Sequence, residues 1–320
     1  VAAGDFVPTS VTQHAAPFRI PYGVSFYALL APFLGAGMDV VALVRGGAAV
    51  AGVLASVALF LVLIRGYGAA AAGMAVVLLQ TIPLTFDVAY SYGNLSNGFG
   101  QAATVGFFAW WAAGAPLGWP AGALLLAIAA LAHLSSLIVA VALAAALAFA
   151  WRRELRTERG RILALVVGLG LAAAYYAQYA GLVAAQLPRL LEGAGPRSAE
   201  APGLLTALRH QVVGAAMGWG LAAIVLAWFG RPRGRVALDR DLAAWWAGVG
   251  LLALPAIVSP LEVRYVYALA PAVAAAAGRG AVLLHERGGA PRAIAWALVA
   301  IQVTVGVLNL ALAVWGRYRG

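Results

Sequence analysis

The stretch MDVVALVRGGAAVAGVLASVALFLVLI, residues 38–64, decides the fold. It carries one acid, Asp39, and one base, Arg45, both near its start. An α-helix rises 1.5 Å per residue, so a run of this length crosses a hydrocarbon core of ~30 Å. The apolar residues are continuous rather than alternating, which excludes a strand of a transmembrane β-barrel. Gly46, Gly47, Gly52 and Ser56 let neighbouring helices approach closely. Asp39 and Arg45 stand six residues apart. Mutual pairing, or snorkelling of Arg45, is the simpler reading, and a phosphate contact is the other.

Outward from this run the same pattern recurs near 68–86, 94–113, 118–131, 134–151, 161–187, 212–229, 241–258, 264–284 and 293–315. The fold class is therefore all-α: a polytopic transmembrane helical bundle of about ten spans over 38–320, preceded by an external segment, 1–37. The runs at 118–131 and 134–151 are short enough to form a broken pair. Over 320 residues, 64% are hydrophobic and 10% charged, with a mean hydropathy of +0.91. Soluble domains carry roughly 25% charged residues, so a soluble enzyme is excluded. The absence of cysteine removes disulfides, thiolate metal sites and cysteine nucleophiles together. No Walker loop, GxSxG elbow or HExxH pair occurs.

All 21 basic residues are arginine, a usage that, with the abundant Ala and Gly, fits a GC-rich prokaryotic genome. The net charge of +10 is distributed in short clusters between apolar runs, which is the pattern of positive-inside topology rather than of nucleic-acid binding. Arg152, Arg153, Arg156, Arg159 and Arg161 form one cluster, and Arg231, Arg233, Arg235 and Arg240 another. Both are expected in the cytoplasm, and counting spans places Arg65 and the turn 285–292 there as well. The amino terminus is then external, in a multi-pass protein of the plasma membrane. Because the chain begins at Val1, a cleaved signal or a further transmembrane helix is expected upstream.

The external side collects the remaining polar chemistry. Asp5, Arg19, Asp39, Asp87, Glu262 and Arg264 fall there, with an amide and tyrosine cluster of Tyr90, Tyr92, Asn94, Asn97 and Gln101. Charges in or beside apolar spans are costly and mark functional candidates. Residues 17–37, PFRIPYGVSFYALLAPFLGAG, combine three prolines with aromatics and suit a helix lying in the interface. His133 in LAHLSS falls where two runs meet, where a histidine most often caps backbone groups and otherwise contacts substrate.

Four stretches resemble the GT-C superfamily of polytopic glycosyltransferases: residues 17–52, SYGNLSNGFGQ at 91–101, ALAHLSSL at 130–137 and VRYVYALAPAVAAAAG at 263–278. The resemblance implies transfer of a sugar from a polyprenyl-phosphate donor on the external face. It further implies a catalytic aspartate in the first external loop; Asp5 is the best match, as base or metal-positioning group, with Asp87 in support. The superfamily's first span and its paired acids are missing from this sequence. Such chemistry needs a carboxylate to deprotonate the acceptor and cations to hold the departing phosphate. Arg19 and Arg264 take the phosphate role, and Tyr92 and His133 the sugar. A divalent metal through Asp5 and Asp87 is left open. Asp5, Asp87, His133 and Arg264 are expected to line one external cavity facing membrane lipid. The competing reading is a non-catalytic accessory or scaffolding subunit, its external loops meeting partner membrane subunits.

Overall fold

A computed structural model describes residues 23–86, 95–181, 184–185, 217–234, 236–253 and 262–317, with the side chains of 253, 262–265 and 313–317 excepted. Among the described residues there is no strand, and every apolar run noted above contains a helix. In chain order these are α1 (Ser25–Gly35), α2 (Val40–Tyr67), α3 (Ala69–Thr81), α4 (Pro83–Phe86), α5 (Leu95–Ala112), α6 (Gly118–Ala132) and α7 (Leu134–Ala150). There follow α8 (Arg159–Ala177), α9 (Leu221–Gly230), α10 (Ala237–Ala253), α11 (Glu262–Glu286) and α12 (Gly289–Arg317). Four of them, α2, α8, α11 and α12, are long and apolar enough to cross a membrane by length and composition. The protein is a helical membrane protein on that ground.

Local chemistry sets the boundaries. Asp39 caps α2 by accepting the Ala42 N–H at 2.8 Å. Gly68, at φ +83, ends it in a conformation that a side chain disfavours, and α3 turns back from there. The run 68–86 reads as one span in the sequence, but the structure breaks it. Ile82 is extended (ψ 116) because a residue preceding proline is pushed from the helical region, and Pro83 opens the separate turn α4. His133, extended at φ −161 and ψ 152, separates α6 from α7 so that the two short helices form a hairpin.

The freed backbone at these breaks is bonded again. Gln302, buried in the middle of α12, donates through Nε2 to the carbonyls of Thr81 and Trp219, both at 3.1 Å, and its Oε1 accepts the Ala223 N–H at 3.2 Å. One amide thus ties the end of α3 to the start of α9, satisfying carbonyls that apolar surroundings leave without water.

Helix α11 is the centre: 83% of its apolar window is buried, against 28% for α2 and 22% for both α8 and α12. Small residues make this position tenable. Gly278 packs directly on the backbone of Ala71 and Ala75 of α3, and Gly230 and Gly280 bring α9 and α11 into backbone contact. Around it, Leu59, Leu63, Leu78, Trp111 and Trp245 are fully buried.

The short helix α1 packs on α6, α2 and the start of α5. Gly23 packs on the backbone of Ala132 and His133, Ser25 donates to the Ile128 carbonyl at 2.8 Å, and Phe26 sits 5.0 Å from the Phe99 ring. Its outer face exposes Tyr27, Leu29 and Phe33. Eleven residues rise only ~16 Å, about half a hydrocarbon core.

Candidate binding cavity and the arginine end

Side-chain contacts sort the helix termini onto two ends. The Tyr67 hydroxyl donates to Asp239 Oδ1 at 2.5 Å, joining the end of α2 to the start of α10. Arg279, near the end of α11, pairs with the same oxygen at 2.6 Å and stacks on the Tyr67 ring at 4.5 Å, while the Arg233 N–H reaches Oδ2 at 3.1 Å. Trp151 donates through Nε1 to Asp241 at 2.6 Å, and Arg240 both pairs with Glu154 at 2.6 Å and stacks on Trp151 at 3.5 Å. Buried Arg161 lies 4.3 Å from the Trp151 ring and 4.9 Å from that of Trp111, donates to the Trp111 carbonyl at 2.9 Å, and sits 2.8 Å from Glu158. The arginine clusters at 152–161 and 231–240 therefore share one end, as their equal parity predicts. Glu154 is held below the ordinary carboxylate range, chiefly because Arg240 hydrogen-bonds its charged form.

Toward the other end, the first half of α2, the last turns of α3, the first turns of α5 and the first half of α11 enclose a cavity of about 980 Å³. The α2 wall carries Arg45 and then Ala48, Ala49, Gly52 and Ser56, small residues that leave space beside Val53, Val57 and Phe60. Gln80 donates to Ser56 Oγ at 2.6 Å, and Ser56 in turn donates to the Gly52 carbonyl at 3.0 Å. Gln101 reaches the cavity from α5, and its Oε1 is buried with no hydrogen-bond partner among the described residues. Buried Tyr267 enters from α11. Arg45 and Asp39 do not pair: Asp39 is engaged as a helix cap, and none of the three ion pairs among the described residues contains Arg45. The result is an apolar chamber with a few polar groups, one of them cationic. That is the ordinary composition of a small-molecule site.

Two amides of the cluster seen in the sequence, four residues apart and so at adjoining positions on α5, take different surroundings. Gln101 lines the cavity, whereas Asn97 accepts from Ser135 and Ser136 at 3.1 and 3.0 Å. His133 belongs to this second group. Its Nδ1 accepts the Ser135 N–H at 3.1 Å and lies 2.7 Å from Ser135 Oγ, so it caps α7 and does not line the cavity. It is 6% exposed. Asp5, Arg19, Asp87 and Tyr92 lie outside the described residues, as do Tyr90 and Asn94. Arg264 stands in α11 three residues before Tyr267, its side chain outside the described set. Among the described residues no three His, Asp or Glu side chains converge to hold a metal ion.

The sequence reading passed over Asp239, Asp241 and Arg279. A signal for Arg279 was present, because a charge within the run AAAAGRGAVLL is expensive in lipid and demands a partner. Arg45 was noticed only beside Asp39. No protein family, curated protein or solved structure gives a match to this chain.

Proposed function

We propose that this chain is an integral membrane glycosyltransferase of the GT-C kind, with about ten spans. It moves a sugar from a polyprenyl-phosphate donor to an acceptor at the external side of the plasma membrane. The supporting observation is the 980 Å³ cavity opposite the arginine end, where Arg45, Ser56, Gln80, Thr85, Gln101 and Tyr267 stand in a mostly apolar wall. A lipid-linked phosphate sugar needs those two surroundings together: apolar walls for the isoprenoid and a cation with hydrogen-bonding groups for the head. In this reading Arg45 joins Arg264 and Arg19 around the phosphate, Tyr92 lies toward the sugar, His133 serves as the cap of α7 instead of a sugar contact, and Asp5 supplies the base or metal-positioning carboxylate with Asp87 behind it.

The second reading is a non-catalytic accessory subunit. It draws on the wall's composition, which includes no carboxylate among its described residues. One set of measurements separates the two. Purified protein in nanodiscs is supplied with polyprenyl-phosphate hexose, and donor binding and sugar release are followed. Under the enzymatic reading Asp5→Asn slows transfer by about 10²- to 10⁴-fold with donor affinity kept. Arg45→Ala weakens donor binding by about 1.5–3 kcal/mol, the value of a charge-assisted contact. Donor binding without transfer in any variant selects the accessory reading. Donor affinity indifferent to Arg45→Ala removes the cavity from both. The orientation is checked on intact cells: labelling of Thr157→Cys by an impermeant maleimide from outside reverses it, and the chain has no native thiol to interfere.

A further inference from the structure

A second cavity lies elsewhere, at the arginine end, and does not depend on the reading above. It is a groove of about 590 Å³ between α9 and α10 with α11 behind it. Ile224, Ala227 and Trp228 on α9, Ala243 and Ala247 on α10, and Ala276 on α11 make its walls almost wholly apolar. Its inner end is closed by Trp219 and Trp246, whose rings meet edge to face at 6.5 Å. At its outer end stand Arg231 and Pro232.

Its length and its mouth point to one kind of occupant. Helix α9 has 10 residues and rises ~15 Å, which is the depth of a single leaflet, so the groove starts at the surface and stops at about the midplane. Arg231 is exposed at the mouth. Its guanidinium lies 4.3 Å from the Trp228 ring and its Nη1 donates to the Trp228 carbonyl at 2.8 Å. No acid among the described residues pairs with it, and exposed Arg233 follows two residues later. The acids that form ion pairs at this end are taken by other arginines, Asp239 by Arg279, Glu154 by Arg240 and Glu158 by Arg161, so Arg231, like Arg65, Arg152 and Arg233, is in none of the ion pairs among the described residues. An apolar slot one leaflet deep, under a stacked but unneutralised guanidinium, is complementary to an acyl chain carrying an anionic head.

We infer that this groove binds an anionic glycerophospholipid from the leaflet at the arginine end, one acyl chain between α9 and α10 and the phosphate on Arg231. The exposed Ala243 and Ala247 leave room for the chain, while the tryptophan pair sets how deep it goes.

The test is lipid retention by the purified full chain. Protein is stripped in detergent, phosphatidylglycerol or phosphatidylcholine is added back, and bound lipid is counted by native mass spectrometry. Wild type is expected to retain phosphatidylglycerol about tenfold more strongly than phosphatidylcholine, a preference that Arg231→Ala abolishes. Ala247→Trp, which fills the slot from its exposed side without touching the arginine, is expected to lose both lipids. Equal retention of the two lipids by wild type overturns the proposal, as does a preference unchanged in Arg231→Ala. If Arg231→Ala does not fold, Ala247→Trp decides alone: undiminished phosphatidylglycerol in that variant places the lipid elsewhere on the protein.

Discussion

At the arginine end Asp239 is met by Tyr67, Arg233 and Arg279 and Glu154 by Arg240, whereas at the other end Arg45 faces a cavity and Gln101 Oε1 is buried without a partner among the described residues. The contrast separates two uses of polar residues in an apolar bundle. Matched charges join helices that hydropathy alone leaves interchangeable, since lipid tails are as apolar as the packed side chains and burial gives little direction. Unmatched groups around a cavity add nothing to assembly and cost the folded protein something. They are therefore the groups whose presence calls for a ligand.

The largest expected effect lies in the matched end. Replacing Arg279 by Met leaves Asp239 buried and unneutralised, with an expected loss of about 3–5 kcal/mol. Thermal unfolding in detergent measures it, and restoration by the additional change Asp239→Asn distinguishes lost pairing from lost packing. A loss below 1 kcal/mol, on the scale of exposed pairs, would mean that this end is not organised by charge. At the other end the sign is expected to reverse. Gln101→Leu removes an acceptor that has no partner among the described residues and is expected to stabilise the ligand-free protein by about 1 kcal/mol, while weakening polyprenyl-phosphate binding. If both stability and binding fall, Gln101 is structural and the contrast between the ends fails.

The smallest effect concerns Glu154. Its pKa is lowered in the folded protein, so its contribution is complete above the unfolded value and disappears as pH falls through the folded one. Stability lost on acidification below about pH 4 should therefore be smaller in Glu154→Gln than in wild type. Identical acid profiles would show that the Arg240 contact adds nothing measurable, as is common for half-exposed pairs.

Much of the frame was legible because hydropathy and caps are local. The apolar runs correspond to helices, and the equal parity of the arginine clusters anticipated their meeting at one end. The break and cap at His133 also rest on neighbouring residues, whereas Asp39 was read as a partner of Arg45 and is instead the cap of α2. The break at Ile82–Pro83 was missed because an apolar count is blind to the conformational restriction that proline places on the residue before it. The cavity and the Asp239 cluster were missed for a different reason. Tyr67 and Asp239 are separated by 172 residues, and no periodicity reports which spans become neighbours. Arg45 illustrates both limits: its position in a span was visible, but its place on the cavity depends on α3, α5 and α11, and Asp39 is held away from it by the cap on the Ala42 N–H.

The position of α11 has a consequence for synthesis. Residues 262–286 leave the ribosome after α2, α3, α5, α7, α9 and α10, yet those helices pack around the place that α11 fills. A nascent chain that ends before residue 262 has its outer helices and no axle. Arg279 makes this segment a poor candidate for independent residence in lipid. Its entry is favoured by an assembly that already displays Asp239 and Tyr67 at the correct level, so the helix that comes nearly last in translation is the one that closes the membrane protein.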